Sequence, residues 1–112
     1  MKIGYVVPYV DGTDQKWLDL FLKNAPSKVK RDREEVKLRY SPNSLFKYHI
    51  RSIDKFAPWI STLHLLVWEK SQVPNWIDDS KVHIVCHRDF IPSEHLPTFN
   101  SGTIECFLHR IP

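Results

Sequence analysis

The sequence predicts an α/β domain whose sheet is mainly parallel. Three observations lead there. Short β-branched and aromatic runs recur at residues 3–10, 62–68 and 81–86. Stretches with helical spacing of apolar residues lie between and after them. The order strand, helix, helix, strand, strand, helix is that of an α/β layer.

Residues 3–10 have no helical period and read as a buried first strand. Asp11, Gly12, Thr13 and Asp14 then form a turn, with Asp14 placed to cap a helix on which Trp17, Leu18, Phe21 and Leu22 recur. That helix is expected to fade near Asn24. Residues 26–42 are charged and hold two prolines, so they read as loop. A second helix is expected from about Ser41 to Pro58, carrying Leu45, Tyr48, Ile50, Ile53 and Phe56. Residues 62–68 fit a second strand, 73–77 a turn anchored by Trp76, and 81–86 a third strand. A proline-bounded loop follows, and a last helix is expected from about Ser101 toward Pro112.

At 112 residues the chain is one domain or part of one. Its 42% hydrophobic and 26% charged content is that of an ordinary globular protein. A net charge of +3 suits an anionic ligand but is too mild for a nucleic-acid-binding surface. The one basic cluster, residues 28–33, runs straight into Glu34 and Glu35 and reads as a solvated linker. Two cysteines, Cys86 and Cys106, make no disulfide framework and fit a reduced, cytoplasmic setting. No segment approaches the ~18 apolar residues of a membrane span, and residues 1–8 lack the features of a signal peptide.

In open α/β sheets, ligands sit outside the carboxyl ends of the strands. Asp11, Gly12 and Asp14 follow the first strand, Glu69 and Lys70 the second, and His87 and Asp89 the third. Asn100, at the entry to the last helix, would join them on that rim. Asp14 and Asn100 are equally helix caps, and Asp89 equally a turn-stabilising residue. In the last helix Glu105 and His109 are four apart and share a face, with Arg110 about 100° further round. Such a face can hold a hydroxyl, move its proton and meet a phosphate; the plainer reading is a charged helix surface suited to the dipole. Cys86, His87 and His83 superficially suggest zinc, but side chains alternate along a strand and no CxxC pair supports a closed four-ligand site, so none is expected. Trp17, Trp59, Trp76 and Phe99 read as core or rim packing.

Several words in order are similar to the Stealth family, which includes bacterial capsular polysaccharide phosphotransferases and N-acetylglucosamine-1-phosphotransferase. Residues 7–14 with Trp17 resemble its first region, W-V-(D/N)-G-(S/N)-D-P-x-W. Lys47-Tyr48, Arg51-Ser52-Ile53 and residues 56–60 resemble L-(K/R)-Y-x-x-R-S-I-x-x-(Y/F)-A-P-W of its second. Residues 73–76, 85–92, 96–101, Ile104-Glu105 and 108–111 continue that region. The resemblance divides the chain into a first region at residues 1–24, a linker at 25–38 and a second region at 39–112. Tyr9 stands where the family usually has Trp, and Ser41-Pro42 follows Arg39-Tyr40 where it often has Arg-Asp. The family's later Asn-Asp-Asp segment is not in the sequence. The chain therefore resembles the amino-terminal part of such an enzyme, or a diverged short form.

The resemblance implies a Rossmann-like sheet with helices on both faces. It implies transfer of a hexose 1-phosphate, such as N-acetylglucosamine 1-phosphate, from a nucleotide-diphosphate sugar to a glycan hydroxyl in capsule or exopolysaccharide synthesis. Glu105 would be the active-site carboxylate, with His109 orienting it or shuttling the proton, and Arg110 meeting phosphate. Asp11 would hold donor hydroxyls or a divalent ion beside Gly12 and Asp14. Arg51 would contact phosphate or form a structural ion pair, and His87, Asp89 and Asn100 would line the rim. A Mg²⁺ or Mn²⁺ ion is expected from the family; its ligands in this chain are unknown. The setting implied is the cytoplasm, at the inner membrane face. Two other readings stand beside this one: an inactive nucleotide-sugar binding module, which an uncovered sheet edge could drive to self-associate, and an ordinary glycosyltransferase.

Overall fold

The computed structural model describes residues 1–24, 32–42 and 45–112. Its elements are β1 (Gly4–Pro8), α1 (Gln15–Asn24), α2 (Arg33–Arg39), α3 (Leu45–Phe56), β2 (Thr62–Val67), β3 (Val82–Cys86), α4 (His87–Phe90) and α5 (Ser101–Cys106). Single 3-10 turns occupy Lys70–Gln72, Ser93–His95 and Leu108–Arg110. No described helix is long and apolar enough to cross a membrane.

The three strands form one sheet in the order β1-β2-β3, and both pairings are parallel. Val7 lies opposite Leu65, and Leu66 opposite Val85. Side chains alternate between the faces with a period of two. Val7, Leu65, Val67 and Cys86 thus share one face, packed by Phe46 of α3 and by Val73. Leu66 and Val85 share the other, covered by Phe90, Ile91, Ile104 and Phe107 from the carboxyl-terminal segments. Both faces of a parallel sheet need such cover, which explains the nearly unbroken apolar run 65–67. Fully burying each of Leu65 and Leu66 contributes about 1.5–3 kcal/mol.

A third cluster stands apart from the two faces. Trp17 and Leu18 of α1 and Val36 of α2 are buried against Val10 and Trp68, which directly follow β1 and β2. The α1–α2 pair therefore caps the carboxyl ends of the strands, where the sequence places its polar rim.

The α/β class and parallel sheet are as predicted. The loop expected at 26–42 is in part α2: Val36 is buried there, and Glu34 and Glu35 sit in the first turn with Lys37 and Arg39 in the last, a charge order that suits the helix dipole. The linker expected at 25–38 therefore contains helix from Arg33 onward. Residues 25–31, which include most of the basic cluster, lie outside the described residues. The loop after β3 begins as α4, whose Cys86 amide donates to Asp89 Oδ2 (2.9 Å). The last helix is shorter than expected. Phe107 leaves helical geometry (φ −105°, ψ 7°), and a 3-10 turn follows. A three-residue repeat aligns Leu108 with Ile111, and both pack on the Leu66–Val85 face.

Candidate functional site

The rim is organised by Gln72, which is only 2% exposed. The Asp11 amide donates to Gln72 Oε1 (2.6 Å), and Gln72 Nε2 donates to Asp11 O (3.2 Å) and Asp14 Oδ2 (2.8 Å). Asp14 Oδ1 accepts from the Lys16 amide (3.0 Å), so this carboxylate both caps α1 and anchors the crossover after β2. Asp11 Oδ1 closes a local turn by accepting from the Thr13 amide (2.9 Å). Gly12 donates its amide to Tyr40 O (2.8 Å). A Cβ there would lie 2.6 Å from Tyr40 Cβ and 2.9 Å from its carbonyl, so the position requires glycine for close approach rather than for an unusual φ.

Two cavities open on this rim. One, of about 170 Å³, is lined by Tyr9, Trp17, Tyr40, Trp68, Phe99 and His87 among others, and among the described residues by no Lys, Arg, Asp or Glu. Trp17 meets Tyr40 and Phe99 edge-on at 5.1 and 5.7 Å between ring centroids. His87 is 7% exposed, and its Nδ1 has no hydrogen-bond partner among the described residues. Burial lowers its pKa to about 4, so the imidazole is neutral at pH 7. The second cavity, of about 390 Å³, has a mixed lining in which Asp11, Lys47, Gln72 and Asn75 stand beside Phe46, Val73 and Trp76. Tyr9 lines both cavities and stacks on Phe46 at 4.4 Å. Burial, then the Asp11 charge, raises its phenol pKa.

The residues expected on the rim are not all brought together. Asp11, Asp14 and His87 are there. Asp89 caps α4. Asn100 caps α5, accepting from the Gly102 amide (2.8 Å). Arg88 pairs with Glu69 at 2.8 Å, joining the segments that follow β3 and β2. Glu105 is exposed on α5, directly after Ile104, which lines the apolar cavity. His109 and Arg110 belong to the 3-10 turn, with the His109 ring 6.5 Å from that of Phe107. The single helical face expected for Glu105 and His109 is therefore interrupted at Phe107. Arg51 sits elsewhere. It lines a cleft of about 460 Å³ with Ser61, Lys81 and Val82, beside the amino ends of β2 and β3.

Neither Gln72 nor Lys47 stands among the site residues expected from the sequence. Gln72 lies in a short polar segment with no periodicity to mark it as buried. Lys47 reads as one more helix-surface charge, and only the fold sets it across a cavity from Asp11. Among the described residues no three His, Cys, Asp or Glu side chains converge as a metal site. Asp14 has both oxygens engaged. Asp11 retains Oδ2 without a described partner, so this loop fits a divalent ion only as a single carboxylate ligand alongside substrate oxygens.

The profile of Stealth protein CR2, conserved region 2, matches residues 39–112. The chain is 39% identical to the exopolysaccharide phosphotransferase cps2G of Lactiplantibacillus plantarum, over 98% of this chain and 32% of that protein. It is 33% identical to a capsular polysaccharide phosphotransferase of Actinobacillus suis, over 98% of this chain and 30% of the relative. It is 36% identical to the capsular polysaccharide phosphotransferase eps5J of Streptococcus thermophilus, over 97% of this chain and 46% of the relative. The chain thus spans about a third to a half of the length of these relatives. With its second region matched from end to end and its first strand and loop aligned within those relatives, the chain belongs to the Stealth family.

Proposed function

We propose that this chain supplies the donor-binding rim of a sugar-1-phosphate transferase in capsular or exopolysaccharide synthesis. The observation that carries the proposal is the alignment of nearly the whole chain with polysaccharide phosphotransferases. A rim with two adjoining cavities, one apolar and one that carries Asp11 and Lys47, supports it.

In this reading a hexose 1-phosphate passes from a nucleotide-diphosphate sugar to a glycan hydroxyl. The acceptor oxygen forms a bond to the β-phosphorus, the bond from that phosphorus to the bridging oxygen breaks, and nucleoside monophosphate leaves. The hydroxyl proton goes to Glu105, whose exposure leaves it open to an acceptor. Lys47 and Arg110 offset phosphate charge, and Asp11 holds donor hydroxyls or one position of a divalent ion, which would draw charge from the diphosphate when bound. Asp14, Gln72 and Gly12 shape the loop and do not act on the substrate.

A donor radiolabelled in its β-phosphate tests the proposal. Label appearing in polymer, and lost in Glu105→Gln, is the expected result. Label retained in nucleoside diphosphate would establish glycosyl transfer instead. Binding of donor without turnover would reduce the chain to a binding module.

A further inference from the structure

We propose that the apolar rim cavity receives the nucleobase of the donor, with the His87 imidazole as hydrogen-bond partner to the edge of the base. This deepens the donor-site reading and rests on it.

The lining decides which part of a nucleotide sugar fits. Among the described residues no charged side chain borders the cavity. A diphosphate there would be desolvated without a counter-charge, at prohibitive cost. A hexose carries a hydroxyl on nearly every carbon, and each needs a partner once buried. The walls are instead aromatic side chains, from Tyr9, Trp17, Tyr40, Trp68 and Phe99. Flat rings suit flat rings, and base–aromatic stacking is favourable for any base. At about 170 Å³ the cavity has room for a flat ring.

His87 supplies the single specific contact. A buried polar atom with no partner is uncommon in native proteins, and among the described residues His87 Nδ1 has none. The neutral imidazole presents one N–H donor and one bare nitrogen acceptor, so it can read a base edge of either polarity. Ser101 and Thr98 add hydroxyls on the same lining. The neighbouring cavity completes the match. It begins on the other side of Tyr9 and contains Lys47 and Asp11. A donor laid across Tyr9 would place its base among the rings and its sugar diphosphate among the charges.

The test uses the chain itself and ligands that carry no phosphate. Uridine, cytidine, adenosine and methyl N-acetylglucosaminide are titrated separately, with quenching of Trp17 and Trp68 fluorescence as readout. The complete UDP-N-acetylglucosamine serves as reference. The expected result is saturable quenching by a nucleoside and none by the glycoside, with at least tenfold weaker nucleoside binding in His87→Phe and no change in Arg51→Ala. Nitrogen-15 NMR of the unaltered chain supplies a readout that does not depend on the variant folding: the His87 Nδ1 resonance should move on nucleoside addition. Binding of the glycoside with no nucleoside binding would overturn the base assignment and leave the donor site standing. A nucleoside that binds without moving that resonance would overturn the role of His87. If the complete nucleotide sugar fails to bind as well, the donor-site reading itself falls.

Discussion

Trp17 is 4% exposed and Trp59 is 64% exposed, although both belong to stretches rich in aromatic residues. The difference lies in what surrounds them. Trp17 sits where four distant segments meet: α1, the Tyr40 end of α2, Trp68 after β2, and Phe99 before α5. Trp59 follows α3, a helix with no fully buried residue. Helix α3 half-buries Phe46, Ile50 and Ile53 toward the sheet, while Tyr48 and Phe56 stay exposed. An amphipathic pattern therefore specifies a face but not its cover. The rim is covered from several directions and can hold a defined cavity. The α3 flank is covered from one side and presents an open cleft.

The largest effect expected from this contrast is a core truncation. Leu18→Ala should cost about 2–5 kcal/mol in denaturant unfolding, because Leu18 is fully buried under the rim. Tyr48→Ala on α3 should stay within about 0.5 kcal/mol. Similar losses at the two positions would abolish the distinction between rim and flank.

A pH dependence should come next. Burial holds the folded pKa of His87 at about 4, below the ordinary imidazole value of 6.5. Between those values the unfolded chain binds more protons than the folded one, so stability falls with falling pH. The contribution of the neutral buried ring is complete above about pH 6.5 and is lost toward pH 4, amounting to about 3 kcal/mol. Denaturant midpoints across this range should flatten in His87→Gln. An unchanged slope in that variant would mean that the rim does not enforce neutrality on His87.

The third effect is smaller and separates two glycines. Gly12→Ala should cost about 1–3 kcal/mol through overpacking, because the new Cβ meets Tyr40 backbone. Gly102→Ala meets only Asn100 Oδ1, at 3.1 Å, and removing a helical glycine favours folding by about 0.5–1 kcal/mol. Thermal midpoints should therefore move in opposite directions or differ clearly. Equal shifts would indicate that the Gly12–Tyr40 contact is not tight in solution.

Most of the sheet was legible in the sequence because a buried strand is a local signal. Residues 62–67 and 82–86 are apolar, β-branched and bounded by turns, and they form the strands expected. Helix α2 was not legible. Its charged run resembles a solvated linker, and only the burial of Val36 against α1 makes a helix there worthwhile. The end of α5 was misread for a related reason. Helical spacing of Glu105 and His109 is a local pattern, whereas Phe107, Leu108 and Ile111 answer to the sheet beneath them.

The candidate site divides along the same line. The loop Asp11 to Asp14 and its cap could be read directly, since Asx turns and helix caps involve neighbouring residues. Gln72 and Lys47 could not, because their partners lie far away in the sequence.

By itself the sequence determined the α/β class, the strand positions, the Asp11–Asp14 turn and the family, all of which rest on short-range patterns or ordered motifs. Only the tertiary structure decided that α1 and α2 close over the strand ends, that His87 lies buried with no partner for Nδ1 among the described residues, and that Arg51 lies away from the rim. Those outcomes depend on which distant surfaces meet. Packing and desolvation, unlike turn chemistry, are set by neighbours in space rather than neighbours in the chain.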